Sequence, residues 1–159
     1  MTNEPYLVTT DQDKDIVTAL HSICFGQTEW AKLQAALDDE NCFALLAGCD
    51  EDGQPAGYLV VRVQDKEAHG LWLGVRPDRR GEGWAHKLSF AAINEARARG
   101  AEIYDSHVAE DNDTSDVTLH LHKKLGFVLV DSNLDWTIRD GKRHEFTNHR
   151  VQASLMTGK

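Results

Sequence analysis

The stretch Leu71-Trp-Leu-Gly-Val-Arg-Pro-Asp-Arg-Arg-Gly-Glu-Gly-Trp-Ala-His-Lys-Leu88 runs from a hydrophobic strand, through a loop with two glycines, straight into a helix. Such a junction attracts anions. Gly81 and Gly83 let the backbone come close to a ligand, the first-turn N–H groups have no partner inside the helix, and the helix dipole adds positive potential there. A diphosphate fits that site, although a plain turn with glycines for steric relief accounts for the glycines equally well. The Walker pattern needs a Gly-Lys-Ser/Thr ending, and the dinucleotide fingerprint needs a third glycine in an early βαβ unit; neither is present.

Working outward, residues 6–9 have strand character, and Thr10 followed by Asp13 opens a helix with Ile16, Val17, Leu20, Ile23 and Cys24 at helical spacing. Thr28 is placed to cap a second short helix striped by Trp30, Leu33, Ala36 and Leu37. Runs 42–47 and 58–63, around the turn residues Asp52-Gly53, read as a hairpin, and 71–75 extends the meander. Beyond Arg76-Pro77 the period changes: Trp84, Leu88, Ala91, Ala92 and Ala96 predict a long helix that Gly100 ends. A strand over 101–108, a helix over 114–125 and strands over 127–130, 136–139 and 145–151 complete the chain, with Asp140-Gly141 as a tight turn. The order predicts an α/β (mixed α+β) fold: a central, mostly antiparallel sheet of about six to seven strands flanked by about four helices.

At 159 residues with 41% hydrophobic content, the chain has the length of one domain, 1–159, and no linker divides it. No run approaches the ~20 apolar residues of a membrane helix, and the N-terminal residues lack a basic and apolar leader, so a cytoplasmic protein is expected. Cys24, Cys42 and Cys49 are odd in number and lack metal-ligand spacing, which predicts buried small hydrophobes, no disulfide framework and no metal. With 26 Asp and Glu against 17 Lys and Arg, a formal charge of -9 repels nucleic acid and favours cationic partners.

Two motifs carry a resemblance. Val75-Arg-Pro77 followed by Arg80-Gly-Glu-Gly-Trp-Ala85 resembles the pyrophosphate loop of the GNAT superfamily, Gln/Arg-x-x-Gly-x-Gly/Ala with a Val-x-Pro lead-in. Trp84 departs from it, since an aliphatic residue is usual there; this suggests altered packing beneath the loop. Leu121-His-Lys-Lys-Leu-Gly-Phe127 is similar to the superfamily's Leu-Tyr-x-x-x-Gly-Phe, with His122 in place of the tyrosine. The resemblance covers nearly the whole chain and implies a GNAT-like sheet, acetyl-CoA as co-substrate and an acyltransferase: an N-acetyltransferase in which an amine attacks the thioester directly.

What the resemblance implies for individual residues follows the motifs. Strand residues Leu73, Gly74 and Val75 polarise the acyl carbonyl through backbone amides, and Arg80, Gly81, Glu82, Gly83, Trp84 and Ala85 hold the pyrophosphate, with Arg76 and Arg79 as rivals of Arg80 for a phosphate. His122 stands where the family places its proton donor to the leaving thiolate, and an imidazole titrates near neutral pH. Counting back from Val75 to the family's strand glutamate lands on His69; Glu67 lies two residues away on the same face, and either is a candidate base. Asp105 and His107 on the next strand are further candidates.

Asp105, His107, Glu110 and Asp111 lie on or next to the acidic run 110–116, where the acceptor is expected, and carboxylates there attract a cation. A polyamine or aminoglycoside-like amine and a peptide or protein amine are both implied as acceptors. A solvated loop in which Asp113 or Thr114 caps the helix is the plain alternative. A catalytically silent CoA-binding or sensor module is the alternative function, and homodimers through terminal strands or helices are common in the superfamily.

Overall fold

A computed structural model describes residues 4–27, 29–51, 53–109, 123–139 and 141–156. Its first strand, β1 (Tyr6–Leu7), is short. The first helix, α1 (Asp11–Phe25), starts as the sequence dictates: the Thr10 side chain accepts a hydrogen bond from the Asp13 amide at 3.0 Å, and Asp11 and Asp13 oppose the helix dipole. Val17, Leu20 and His21 form its buried stripe, and Gly26, at φ 67°, ends it. The second helix, α2 (Trp30–Leu37), buries Leu33 and Ala36. Its N-cap is Glu29, in a left-handed conformation with no side-chain capping bond, in place of the expected Thr28, which lies outside the described residues.

Strands β2 (Cys42–Ala47), β3 (Gly57–Gln64) and β4 (Glu67–Val75) form an antiparallel meander. Both faces of β2 and of most of β3 are buried, which is why these segments read as apolar runs without alternation. β4 begins four residues before the hydrophobic run at 71, because Asp65 and Lys66, at φ 54° and 67°, make a two-residue turn that places Gln64 opposite Glu67. A 3-10 turn (Pro77–Arg79) leads to α3 (Trp84–Ala98), after which Gly100, at φ 93°, turns the chain into β5 (Ile103–Ala109). β6 (Val128–Arg139) and β7 (Lys142–Ser154) close the chain as a hairpin. β6 is one strand of 12 residues and not two. Most of its side chains face solvent, so burial imposes no alternation on residues 131–135. The helix expected over 114–125 falls mostly on residues outside those described.

The seven described strands form one sheet in the order β1-β2-β3-β4-β5-β7-β6, antiparallel throughout except for the parallel pair β4 and β5. α3 packs on one face, where Trp84, Leu88, Ala92, Ile93 and Ala96 meet Phe43, Leu45, Leu59 and Val61. α1 and α2 cover the other, where Val17, Leu20, Leu33 and Ala36 meet Ala44, Leu46, Tyr58 and Val60. The three cysteines are free and half-buried, less enclosed than expected. No described helix is long and apolar enough to cross a membrane.

Candidate active site

The parallel ladder between β4 and β5 is only three rungs long: Glu67 with Ile103, Ala68 with Tyr104, His69 with Asp105. β4 then continues to Val75 along β3, while Ser106 to Ala109 follow β7. The two strands therefore part, and among the described residues the edge of β4 beyond His69 has no strand partner on that side. At the parting point, Val60 pairs with Trp72 and Val61 with Gly70, so Leu71 is an extra residue, a β-bulge, in β4.

The bulge also fixes where the backbone groups point. The Arg76 amide donates to the Ala56 carbonyl at 2.8 Å. Antiparallel alternation from that bond turns Gly74 and Trp72 toward β3, and Leu73 and Val75 toward the gap. The Val75 carbonyl, free of β3, accepts from Arg80 Nε at 3.2 Å. Gly74 is a glycine for a different reason: a Cβ there would stand 2.6 Å from Tyr58 Cε1 and 2.9 Å from Cys24 Sγ.

At the end of β4 the loop is open. Gly81 and Gly83 hold φ of 85° and 89°, and a Cβ at either would meet nothing within 4 Å, so it is the backbone conformation that requires glycine. Gly83 is the N-cap of α3 and makes no side-chain cap, which leaves first-turn amides available to an anion. The arginines divide. Arg76 is held by Asp78 at 2.8 Å and Asp50 at 3.6 Å, and Arg79 by Glu82 at 2.9 Å and the Gly48 carbonyl at 3.2 Å. Arg80 has no carboxylate partner among the described residues. Hydrogen bonds from Trp84 and Arg79 hold the Glu82 carboxyl below the usual carboxylate range. Glu82 thereby braces the loop. Trp84 packs in the α3 core with Ala85 following it in the helix's first turn, and its ring lies where a Cβ on Gly48 would sit at 2.8 Å.

On the α1 and α2 side of the sheet, the predicted polar residues gather on β4 and β5, and Arg150 of β7 joins them. Register places Glu67 opposite Gln64 and His69 opposite Arg62, so the two candidates share a face. His69 Nδ1 lies 3.5 Å from Asp105 Oδ2. Asp105 is buried, and Arg150 on β7 donates to both of its oxygens from Nε, at 3.1 and 3.2 Å. His107, exposed, pairs with Arg150 in register. His122, Glu110 and Asp111 lie outside the described residues.

Residues that sequence reading passed over complete this face. Trp72 donates its indole N–H to Glu29 Oε1 at 3.1 Å. His21, fully buried, meets the Tyr58 hydroxyl at 2.6 Å. Burial, and next the Cys24 thiol, push the Tyr58 phenol well above its usual range, so it stays protonated while sharing a hydrogen bond with His21 Nδ1. Arg150 and Glu29 carry no local sequence signal, since each acts on a residue more than forty positions away. The bulge also decides that Trp72 faces the helix side.

Comparison with known proteins agrees with this geometry. Residues 12–127 match the acetyltransferase (GNAT) family. A mycothiol acetyltransferase of Clavibacter michiganensis subsp. michiganensis (strain NCPPB 382) is 34% identical over 83 residues, 52% of this chain and 26% of that protein. The chain spans less than half the length of the curated relatives it matches. Among solved structures, the ribosomal-protein-S18-alanine N-acetyltransferase from Escherichia coli superposes with a TM-score of 0.78 at 17% identity, over 98% of this chain and 97% of that one. A Bacillus subtilis acetyltransferase in complex with CoA superposes at 0.74 and 15% identity, over 96% and 99%. The parted parallel strands, the open glycine loop and the family match lead to one assignment: the chain belongs to the GNAT acetyltransferase family.

Proposed function

We propose that the protein transfers an acetyl group from acetyl-CoA to an amine in the gap between β4 and β5. The observation that carries this reading is the outward-turned backbone of Leu73 and Val75, which begins where the β4–β5 ladder stops and leads to the Gly81–Gly83 loop. These residues fit the co-substrate: a polyamide arm finds an unpaired strand edge, and a diphosphate finds free amides at the start of α3. When bound, acetyl-CoA supplies an activated thioester carbon.

The chain's part is to hold and orient. The Leu73 and Val75 amides donate to carbonyl oxygens lying along the strand edge, an arrangement that polarises an acyl group without reorganisation. Arg80 releases the Val75 carbonyl to meet a phosphate. Asp105 fixes the proton of His69 on Nδ1, which leaves Nε2 to take a proton from the amine; Glu67, on the same face, is the rival base. The amine nitrogen bonds to the acyl carbon as the carbon–sulfur bond breaks, and His122 returns a proton to the departing thiolate. The acceptor is a small cationic amine or a peptide amine. Release of free thiol from acetyl-CoA across a panel of polyamines, aminoglycosides and basic peptides tests the reading: turnover of at least one amine is expected, and CoA binding without turnover of any amine assigns the protein to a silent sensor instead.

A further inference from the structure

Among the described residues Glu29 is one of three non-glycine residues with positive φ, and the other two form the β3–β4 turn. A left-handed glutamate at a helix start is a strained choice, and strain of this kind is retained where the surroundings fix a side chain in place. Here the fixed group is a carboxylate, delivered onto the indole N–H of Trp72 at 3.1 Å. Around it the chain assembles aromatic rings. His21 packs 5.7 Å from Trp72 and 5.3 Å from Phe25, and both Phe25 and Trp30 are exposed although large and apolar. The Glu29 carboxylate keeps spare acceptor capacity. Its other partner is Lys32 at 3.3 Å, whose side chain is 75% exposed, and a pair so exposed yields readily to a competing cation.

The Glu29–Trp72 cluster, the recess that a ligand would enter, faces the same way as His69. Trp72 pairs with Val60 and His69 with Arg62, two positions apart on β3, which separates them by roughly 7 Å at ~3.4 Å per residue. Basic side chains on this face already meet carboxylates: Arg62 meets Asp39 at 4.0 Å, and Arg150 meets Asp105 and Asp131. An acceptor carrying a carboxylate therefore finds Arg62 and Arg150 already engaged, whereas a second ammonium finds Glu29 and the Trp72 ring.

We propose that the acceptor is an aliphatic diamine or polyamine, its reacting nitrogen at His69 and a second ammonium, about four or five methylenes away, held by Glu29 against Trp72. The assignment rests on the transfer reading above and names its substrate class. Two measurements separate their fates. Isothermal titration of the CoA-loaded protein with unbranched diamines of increasing length reads the recess without chemistry; thiol release with the same diamines, and with monoamines of equal length, reads the reaction. The intermediate-length diamines are expected to bind, and Glu29→Gln to weaken them at least ten-fold. In turnover, Glu29→Gln raises KM for the diamine at least ten-fold more than for the matched monoamine. Trp72→Phe, which keeps a ring but loses the N–H, has a smaller effect in the same direction. Glu29-dependent diamine binding without turnover upholds the recess and overturns the transfer reading. Turnover of other amines, with diamine binding absent or indifferent to Glu29→Gln in a variant that still binds CoA, overturns the recess and leaves the transfer reading standing.

Discussion

His69 and Asp105 are partners in the last rung of the parallel β4–β5 ladder, and their side chains meet at 3.5 Å where the two strands part. The base proposed at that point sits at the mouth of the gap, beside a buried carboxylate that Arg150 holds in turn. His69→Gln is expected to lower kcat/KM for the acceptor by roughly 100-fold or more, the usual scale for a lost general base. Glu67→Gln is expected to cost less than about five-fold. The reverse order assigns the base to Glu67.

The pairing of the three loop arginines predicts unequal effects. Arg80→Ala is expected to weaken CoA binding ~10- to 100-fold, the scale of a charge-assisted hydrogen bond to phosphate. Arg76→Ala, whose guanidinium already faces Asp78 and Asp50, is expected to weaken it by less than about three-fold. Calorimetric titration of each variant with CoA reads the difference.

Trp84 in the loop motif is tolerated because Gly48 makes room for it. A Cβ at Gly48 would stand 2.8 Å from both Trp84 Cε2 and the Ala56 Cβ, on a backbone at φ 76°. Gly48→Ala is expected to destabilise the protein by at least ~2 kcal/mol, combining overpacking with left-handed strain. Gly53→Ala shares the φ of 76° but meets nothing within 4 Å, so it isolates the strain. Denaturant unfolding should place the two at least ~1 kcal/mol apart.

Alkaline pH supplies a further test. The chain's three tyrosines, Tyr6, Tyr58 and Tyr104, all have raised phenol pKa values, in each case chiefly through burial. Tyr6 is pushed up to about 12, with its contact to Cys49 adding to the effect. A phenol whose folded pKa is raised favours folding in full below its unfolded value of ~10, and that contribution is lost as pH rises through the folded value. Tyrosinate absorbance is therefore expected to stay flat through pH ~10 and to rise together with loss of structure nearer 12. A folded protein in which tyrosine titrates freely near ~10 contradicts the packing described.

Much of this architecture was legible in the residues. The strand-to-loop-to-helix run at 71–88, the Thr10 cap and the glycines with positive φ are local features, and local features leave sequence patterns. The resemblance placed His69 and Asp105 on adjoining strands as rivals for one role; the three-rung ladder makes them a pair, which only non-local register can do. The Leu71 bulge was illegible because an extra residue in a hydrophobic strand looks like more strand. Glu29 was illegible for the same kind of reason: its partner is Trp72, and the left-handed turn that joins them has no glycine to announce it. Residues 131–135 read as a break because an exposed hairpin needs no apolar alternation.

The central claim is that the gap beside β4 and the loop before α3 form one CoA site. Backbone amide NMR, recorded while CoA is titrated into the folded protein, tests it most directly. Perturbations concentrated at Leu73, Val75, Gly81, Gly83 and Ala85, saturating together, are the predicted result. Saturable binding whose shifts bypass β4 and the loop, or no shift at millimolar CoA, contradicts the account.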